Sequence, residues 1–350
     1  ALETRFEDLP LSTVNRVQDL ILDLIGVSAA ARDITASSIA RATAVRMFNT
    51  IRPEDSARML FDGQTASRAG AAYAGATQID SLDAHDGFSE AKGHAGCGLL
   101  PAVLAFIDRE PDFKGRDFLT AMVIGYELAS RAGVALHATV PDYHTSGAWV
   151  APAVAALGVR IQGGNSETLR QALGIAEYHG PRSQMMRNID HPTMLKDGSG
   201  WGAIAGTSAA YLAAEGFTGA PAITITGDDA MGYWQDLGQH WQILNQYFKP
   251  YPVCRWAQPA AEAIISLTRH HDVTADQITK IKVESFHEAK RLNVIPTNTE
   301  QAQYSLPFSV AVALIHGTIN VSHITANGLT DKDALNLSKL VEISETDEFN

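Results

Sequence analysis

The feature that most constrains the fold is a set of apolar segments in which alanine and glycine are unusually frequent. Two examples are residues 65–77, "TASRAGAAYAGAT", and residues 199–219, "SGWGAIAGTSAAYLAAEGFTG". Small side chains let neighbouring helices approach closely, and segments this apolar are normally buried. The chain therefore predicts a protein built mainly from tightly packed helices.

Helical periodicity covers most of the first 240 residues. In "DLPLSTVNRVQDLILDLIGVSAAA" apolar residues recur at three- and four-residue steps, which predicts an amphipathic helix capped by Ser12 or Thr13. Residues 98–137 predict a helical hairpin with its turn near residues 111–115. A further helix pair is predicted over the segments 147–163 and 167–178.

The pattern changes after "LNQYFKPYPVC", where Pro250 and Pro252 interrupt the chain. Residues 278–289, "ITKIKVESFHEA", alternate in the manner of a strand, and helical segments lie on either side. We therefore predict a mainly α fold: a large all-helical domain over residues 1–243 and a second, smaller α+β domain over residues 244–350.

Charge and cysteine content exclude several classes of partner and location. The formal net charge is −12 and no run of Lys or Arg occurs, which argues against nucleic acid or an anionic membrane as a partner. Only Cys97 and Cys254 are present, so no disulfide framework is expected and a packing role is the simplest for both. No apolar stretch has the length of a membrane span, and no signal peptide is evident. We expect a cytoplasmic protein.

A first polar cluster, "DSLDAHDGFSEAKGH", interrupts the helical pattern at residues 80–94. Asp83, His85, Asp86 and His94 are all potential metal ligands, but their spacing matches no known metal-binding motif. A carboxylate and a histidine in one pocket can instead divide proton removal and proton delivery between them. We favour this acid–base role, with an ordinary solvated loop as the alternative.

Two further clusters follow. "HATVPDYHTSGAW" contains Tyr143 and His144, which either face a pocket or serve the structure of the loop. "HGPRSQMMRNIDHPTMLKDGSGWGAIAG" places Arg187 and Lys196 among small residues, an arrangement that lets an anion approach both backbone amides and charged side chains. The phosphate-loop pattern GxxxxGK[ST] is absent, so a carboxylate is the expected anion.

Five segments in this order resemble the MmgE/PrpD family, and the resemblance covers nearly the whole chain. They are "DSLDAHDGF…GHAGCGLLPAVLA", "YHTSGAWVAPAVAALGV", "LRQALGIAEYHGPRSQMMRN", "MLKDGSGWGAIAGTSAAYLAAEGFTGAP" and "YFKPYPVCRWAQPAAEA".

The resemblance implies a large helical domain, a smaller α+β domain, an active site between them and a homodimer. Members of the family include 2-methylcitrate dehydratases, cis-aconitate decarboxylases and iminodisuccinate epimerases. They act on small di- or tricarboxylates, and the resemblance implies neither a metal nor an organic cofactor.

Four residues take expected roles from the resemblance. Asp83 resembles the first carboxylate of the family's acidic motif, and His94 the histidine before its leucine-rich helix. His144 matches the histidine ahead of the next helix pair. Lys196 matches the lysine before the Gly-Trp step, where it would act as counter-ion for a substrate carboxylate.

The sequence also departs from the family pattern. Gly87 stands where Thr is frequent, and Ser199 and Gln258 stand near positions of family histidines. A standard cis-aconitate decarboxylase is therefore not expected. The resemblance further implies that the α+β domain is incomplete at its C-terminus.

We predict a cofactor-independent lyase, a dehydratase of a small hydroxylated di- or tricarboxylate. His144 or Asp83 would remove a proton α to a carboxylate, and His94 or Tyr143 would protonate the departing hydroxyl. Residues expected to bind the substrate are Arg187, Lys196 and Gln258. An epimerase using the same proton abstraction is the alternative, and a non-catalytic carboxylate-binding or scaffold protein is the second alternative.

Overall fold

The computed structural model describes residues 1–349, and the chain divides into two compact units. The first unit comprises Ala1–Ser81, His85–Met185 and Lys196–Phe248. The second comprises Leu82–Ala84, Met186–Leu195 and the chain from Lys249 onward. Two short pieces of the N-terminal sequence thus belong to the second unit.

Fifteen α-helices lie within residues 1–349. In chain order they are α1 (Leu11–Ala31), α2 (Thr35–Met47), α3 (Arg68–Asp80), α4 (Gly96–Ile107), α5 (Gly115–Thr139), α6 (Gly147–Ile161), α7 (Ser166–His179), α8 (Met186–Asp190), α9 (Ser199–Ala214), α10 (Ile223–Thr226), α11 (Gln258–His271), α12 (Thr299–Gln303), α13 (Leu306–His316), α14 (Val321–Ile324) and α15 (Lys332–Ser338).

Four short strands form two separate ladders among the described residues. In the first unit, β1 (Ser56–Arg58) pairs antiparallel with β2 (Thr65–Ser67). In the second unit, β3 (Ile281–Ser285) pairs in parallel with β4 (Val341–Glu345). The prediction of a mainly α fold with a smaller α+β part is confirmed.

Two helix starts differ from the predictions. The helix expected from residue 65 begins at Arg68, because residues 65–67 form β2 and the Ser67 side chain caps the helix by accepting from Gly70 N. Neither Ser12 nor Thr13 caps α1, which follows Pro10 directly. The Pro10 carbonyl instead accepts the backbone N–H of Thr13 at 3.0 Å and its hydroxyl at 2.7 Å.

The core of the first unit is centred on α6, which packs against α4, α5, α7 and α9. The helix is buried along most of its length, from Gly147 to Val159. On α9, a β-carbon at Gly202 would clash with the backbone of Gly147, and one at Gly206 with that of Ala151. The small residues of α9 are therefore what allow the two helices to pack so closely.

Contrary to the expectation from the sequence, one described helix, α5, is long and apolar enough to cross a membrane. Within its most apolar window, however, 83% is buried inside the protein, as expected for a core helix. It also carries a buried ion pair, with Arg131 Nε 3.5 Å from Glu127 Oε2. Arg131 further donates to the carbonyls of Tyr233 and His240, each at 2.8 Å, and pairs with Asp236. This residue therefore holds the segment that follows α10 onto α5.

The second unit packs α13 between α11 and α15, with β4 also contacting α13. The helix α13 is apolar and buried from Leu306 to Leu314. Ser305 caps its start by accepting from Phe308 N at 3.1 Å.

Candidate active site

His94 lies in the loop between α3 and α4, and one hydrogen bond fixes its tautomer. Its Nδ1 atom is 2.6 Å from the backbone carbonyl oxygen of Asp86. A carbonyl oxygen only accepts, so Nδ1 carries the hydrogen and Nε2 is the basic nitrogen of the neutral ring. His94 is therefore oriented to exchange a proton at Nε2.

A second buried histidine packs against His94. The ring of His85 lies edge-on to that of His94, with the ring centroids 4.4 Å apart. His85 Nε2 is 3.6 Å from Asp80 Oδ1, and Asp80 Oδ2 accepts from Ser199 N at 3.2 Å. Asp80 thus ties the polar loop to the first residue of α9, and His85 serves as a packing support for the His94 ring.

Buried polar groups also surround Asp86. A β-carbon at Gly96 would clash with the Tyr126 hydroxyl and approach Asp86 Oδ1, so these two groups lie close together. The pKa of Tyr126 is raised well above its ordinary value, first by burial and then by the charge of Asp86. Next to them, the Cys97 thiol donates to Ser199 Oγ at 3.2 Å, and burial raises its pKa well above the usual value.

A junction centred on Ser146 and Asp197 joins three loop segments. The backbone N–H of His94 donates to Ser146 Oγ at 2.9 Å, and Ser146 Oγ donates to Asp197 Oδ1 at 2.8 Å. The N–H of Gly147 donates to the Asp197 carbonyl at 3.0 Å. All three polar clusters found in the sequence therefore meet here, because His144 lies two residues before Ser146 and Lys196 directly precedes Asp197.

Lys196 combines a buried side chain with an unusual backbone. Its relative exposure is 3%, and its φ angle of +49° lies in the left-handed region that L-residues seldom adopt. Gly198, with φ of +65°, follows it and caps α9. Such strain persists where surrounding structure imposes it and is concentrated at functional sites. The fold therefore keeps a lysine side chain out of solvent directly next to Asp197.

The neighbours His144 and Tyr143 have different surroundings. Burial, followed by the charge of Arg182, lowers the pKa of His144, so its ring is neutral at neutral pH and able to accept a proton. The Tyr143 hydroxyl donates its proton to the Lys92 carbonyl at 2.7 Å. Tyr143 therefore has a structural bond that makes it a poorer acid than His94.

His137, near the end of α5, forms a hydrogen bond to the loop that carries His144. Its Nε2 accepts the backbone N–H of His144 at 3.1 Å. Burial, with a contribution from the charge of Lys92, lowers the pKa of His137 to about 4. The ring is therefore a neutral acceptor over the physiological range.

The other three predicted site residues belong to the second unit. The carboxylate of Asp83 forms a buried ion pair with Lys249, and its N–H donates to Gln303 Oε1 at 2.8 Å. Arg187 is exposed on α8. Gln258 is buried, and its Nε2 donates to the carbonyls of Tyr251 and Val253 at 3.1 and 2.9 Å. Both amide hydrogens of Gln258 are thus used within the protein, which leaves only its oxygen for a substrate.

Sequence reasoning missed Asp80, Ser146 and Asp197, although all three are buried and hydrogen-bonded at the junction. Asp80 belongs to the first polar cluster, but its position in the sequence predicts no role for it. Among residues 1–349, no group of three or more His, Cys, Asp or Glu side chains is arranged to hold a metal ion.

Comparison with known protein families finds a match for each part of the chain. Residues 1–242 match the MmgE/PrpD N-terminal domain, and residues 251–350 match the MmgE/PrpD C-terminal domain. The chain belongs to the MmgE/PrpD family, which confirms the resemblance found in the sequence.

Two curated relatives extend over almost the whole chain. One is a cis-aconitate decarboxylase from Aspergillus terreus, 23% identical, with the alignment covering 98% of this chain and 72% of that protein. The other is the cis-aconitate decarboxylase-like protein oryM from Aspergillus oryzae, 21% identical, covering 95% of this chain and 75% of that protein.

Proposed function

We propose that the protein is a cofactor-independent lyase that dehydrates a small hydroxylated di- or tricarboxylate. Family membership and two relatives named as decarboxylases or decarboxylase-like support an enzyme of the lyase type. The observation that carries the proposal is the junction that joins the His94 loop, the His144 loop and the buried Lys196. Proton transfer beside a carboxylate needs an acid, a base and a fixed cation.

In this mechanism His144 removes the proton α to a substrate carboxylate. Its lowered pKa keeps the ring neutral at neutral pH, which a base requires. Asp83 is the weaker candidate, because its carboxylate is already paired with Lys249. The electron pair left by the proton then resides on the α-carbon and the carboxylate as an enolate.

His94 acts as the acid that protonates the departing hydroxyl. Its Nδ1–H is held by the Asp86 carbonyl, so the proton that transfers is the one on Nε2 of the imidazolium. The carbon–oxygen bond breaks, the enolate electrons form the carbon–carbon double bond, and water leaves. Two groups of suitable chemistry thus account for both protons of the reaction.

Lys196 stabilises the negative charge that develops on the enolate. A cation held in a buried position costs no reorganisation when the charge appears, and that is where such groups contribute most. Arg187 is exposed on α8 and stays a predicted substrate-binding residue.

The proposal is tested by proton NMR in deuterated water with 2-methylcitrate, citrate, cis-aconitate and iminodisuccinate. We expect loss of an α-proton signal together with a new alkene resonance. His94→Gln should abolish the reaction, whereas His191→Gln, at an exposed histidine, should leave it unchanged. A wild-type protein that leaves every compound unaltered contradicts the proposal and favours a binding or scaffold role.

A dicarboxylate epimerase is the second candidate. The observation in its favour is the presence of two histidines, His94 and His144, on loops joined at the same junction, since an epimerase removes and returns a proton on opposite faces. Deuterium incorporation into recovered substrate without an alkene product selects this reaction. Loss of carbon dioxide from cis-aconitate would instead select decarboxylation, the activity after which the Aspergillus terreus relative is named.

Location and assembly complete the proposal: we expect a cytoplasmic homodimer. The acidic net charge of −12 and the burial of α5 are compatible with it. Sedimentation equilibrium should return twice the chain mass, and a mass of 37.6 kDa would contradict the dimer.

A further inference from the structure

Tyr247 is joined by its backbone to the loop that carries His94. The N–H of Gly87 donates to the Tyr247 carbonyl at 3.1 Å, and the N–H of Tyr247 donates to the Gly87 carbonyl at 2.8 Å. Gly87 directly follows Asp86, whose carbonyl oxygen holds His94 Nδ1. The two hydrogen bonds therefore hold Tyr247 against Gly87, the residue next to Asp86, whose carbonyl orients His94.

The phenol of Tyr247 occupies the space that a side chain at position 87 would fill. A β-carbon built at Gly87 would clash with the Tyr247 hydroxyl and would lie 2.9 Å from His94 Nδ1. The Tyr247 hydroxyl and the His94 ring thus border the same small volume. Only glycine at position 87 leaves room for this arrangement.

The segment that carries Tyr247 is anchored before it reaches the site. The N–H of Ile243 donates to Glu127 Oε1 at 2.9 Å, and Gln246 Nε2 donates to Ser130 Oγ at 3.1 Å. Both acceptors lie on α5, the buried core helix. The phenol is therefore held by the core rather than by a flexible loop, which is what a recognition group requires.

We propose that Tyr247 is a further specificity-determining residue of the site, whose hydroxyl hydrogen-bonds an oxygen of the bound polycarboxylate beside His94. The inference rests on the proposed function. Loss of one hydrogen bond to a substrate oxygen discriminates strongly among close analogues, since the unpaired oxygen has been desolvated without compensation.

The first test compares Tyr247→Phe with Tyr178→Phe, a control at a tyrosine that is 77% exposed. For the compound that the wild-type enzyme converts, Tyr247→Phe should lower kcat/KM about tenfold or more, mainly through a higher KM. Far-UV circular dichroism should show that both variants are folded, and the activity of the control should match the wild type. An unchanged kcat/KM in Tyr247→Phe overturns the inference.

Binding measurements separate this inference from the proposed function. The dissociation constant of citrate is measured by calorimetry for the wild type and for Tyr247→Phe, with an expected increase of about tenfold. A wild type that binds citrate without converting any compound overturns the lyase but leaves Tyr247 supported if its variant binds more weakly. A wild type that neither binds nor converts any of the four compounds overturns both.

Discussion

Lys196 combines a strained backbone conformation with a buried side chain that carries a charge. A buried ammonium group next to a left-handed turn is costly, so its position is set by the junction around Asp197 and not by local preference. In the proposed mechanism, the same constraint would hold this charge in place when a substrate binds.

Replacement of this cation tests its assigned role. We expect Lys196→Ala to reduce kcat/KM by about a hundredfold or more, the scale observed when a group that stabilises transition-state charge is lost. Lys332→Ala, at an exposed lysine, is the control and should behave as the wild type. Steady-state kinetics on the converted substrate measure both. Wild-type rates in Lys196→Ala would remove the residue from the mechanism.

His137 gives the protein a predictable response to acid. Its pKa is lowered to about 4 when folded, against about 6.5 in an unfolded chain, so the unfolded state binds more protons between these values. The stability contribution of the neutral ring is therefore fully present above about pH 6.5 and is lost as the pH falls towards 4.

Urea denaturation at pH 7 and pH 5 measures this effect. The wild type should lose more of its free energy of unfolding on acidification than His137→Gln, whose amide oxygen still accepts the His144 N–H but does not titrate. Identical pH dependence in the two proteins would show that His137 is not the responsible group.

At the scale of helices, the contact between α6 and α9 depends on residues without side chains. Gly206→Ala should destabilise the protein by about 1–3 kcal/mol, because its β-carbon would lie 2.7 Å from that of Val154 and clash with the Ala151 carbonyl. Gly26→Ala on α1, where nothing lies within 4 Å, should instead stabilise by about 0.5–1 kcal/mol. Thermal unfolding of both variants checks the predicted difference in sign. Equal effects would mean that the close approach of the helices is not needed.

Arg131 is the residue through which α5 holds the segment after α10. At pH 8, Arg131→Met should cost about 3–5 kcal/mol of unfolding free energy, because burial already raises the pKa of Glu127 to about 7 and the variant removes the cation beside it. Adding Glu127→Gln should recover part of that loss, since no buried carboxylate is then left without a cation. Chemical denaturation of the single and double variants tests this, and a double variant less stable than Arg131→Met would contradict it.

Across the whole molecule, the sequence predicts those features that depend on residues close together in the chain. It does not predict contacts between residues that are far apart in the chain. The main helices and the strand β3 follow from local periodicity, and His94 and Lys196 follow from polar clusters and motif order. Ser146 could not be found in this way, because its partners His94 and Asp197 lie 52 and 51 residues away in the chain. Small polar residues at helix ends carry no spacing signal that distinguishes a junction from an ordinary cap.

Tyr247 escaped prediction for a related reason. Its position near His94 depends on the glycine at position 87, which has no side chain. A glycine in the sequence does not indicate which distant residue occupies the space beside it. For Gln258 the motif order predicts a substrate contact, and the structure adds that both of its amide hydrogens bond to nearby backbone carbonyls, which leaves the oxygen for that contact.

The two buried cysteines have a consequence for how the molecule can be observed. Cys97 belongs to the first unit and Cys254 to the second, and both thiols are buried. An alkylating reagent reaches such a thiol only when the surrounding structure opens. The labelling rate of each cysteine therefore reports how often its own unit opens. Mass spectrometry of the two cysteine-containing peptides would thus measure two separate opening rates in one native chain. A ligand bound at His94 should lower the labelling rate of Cys97 more than that of Cys254.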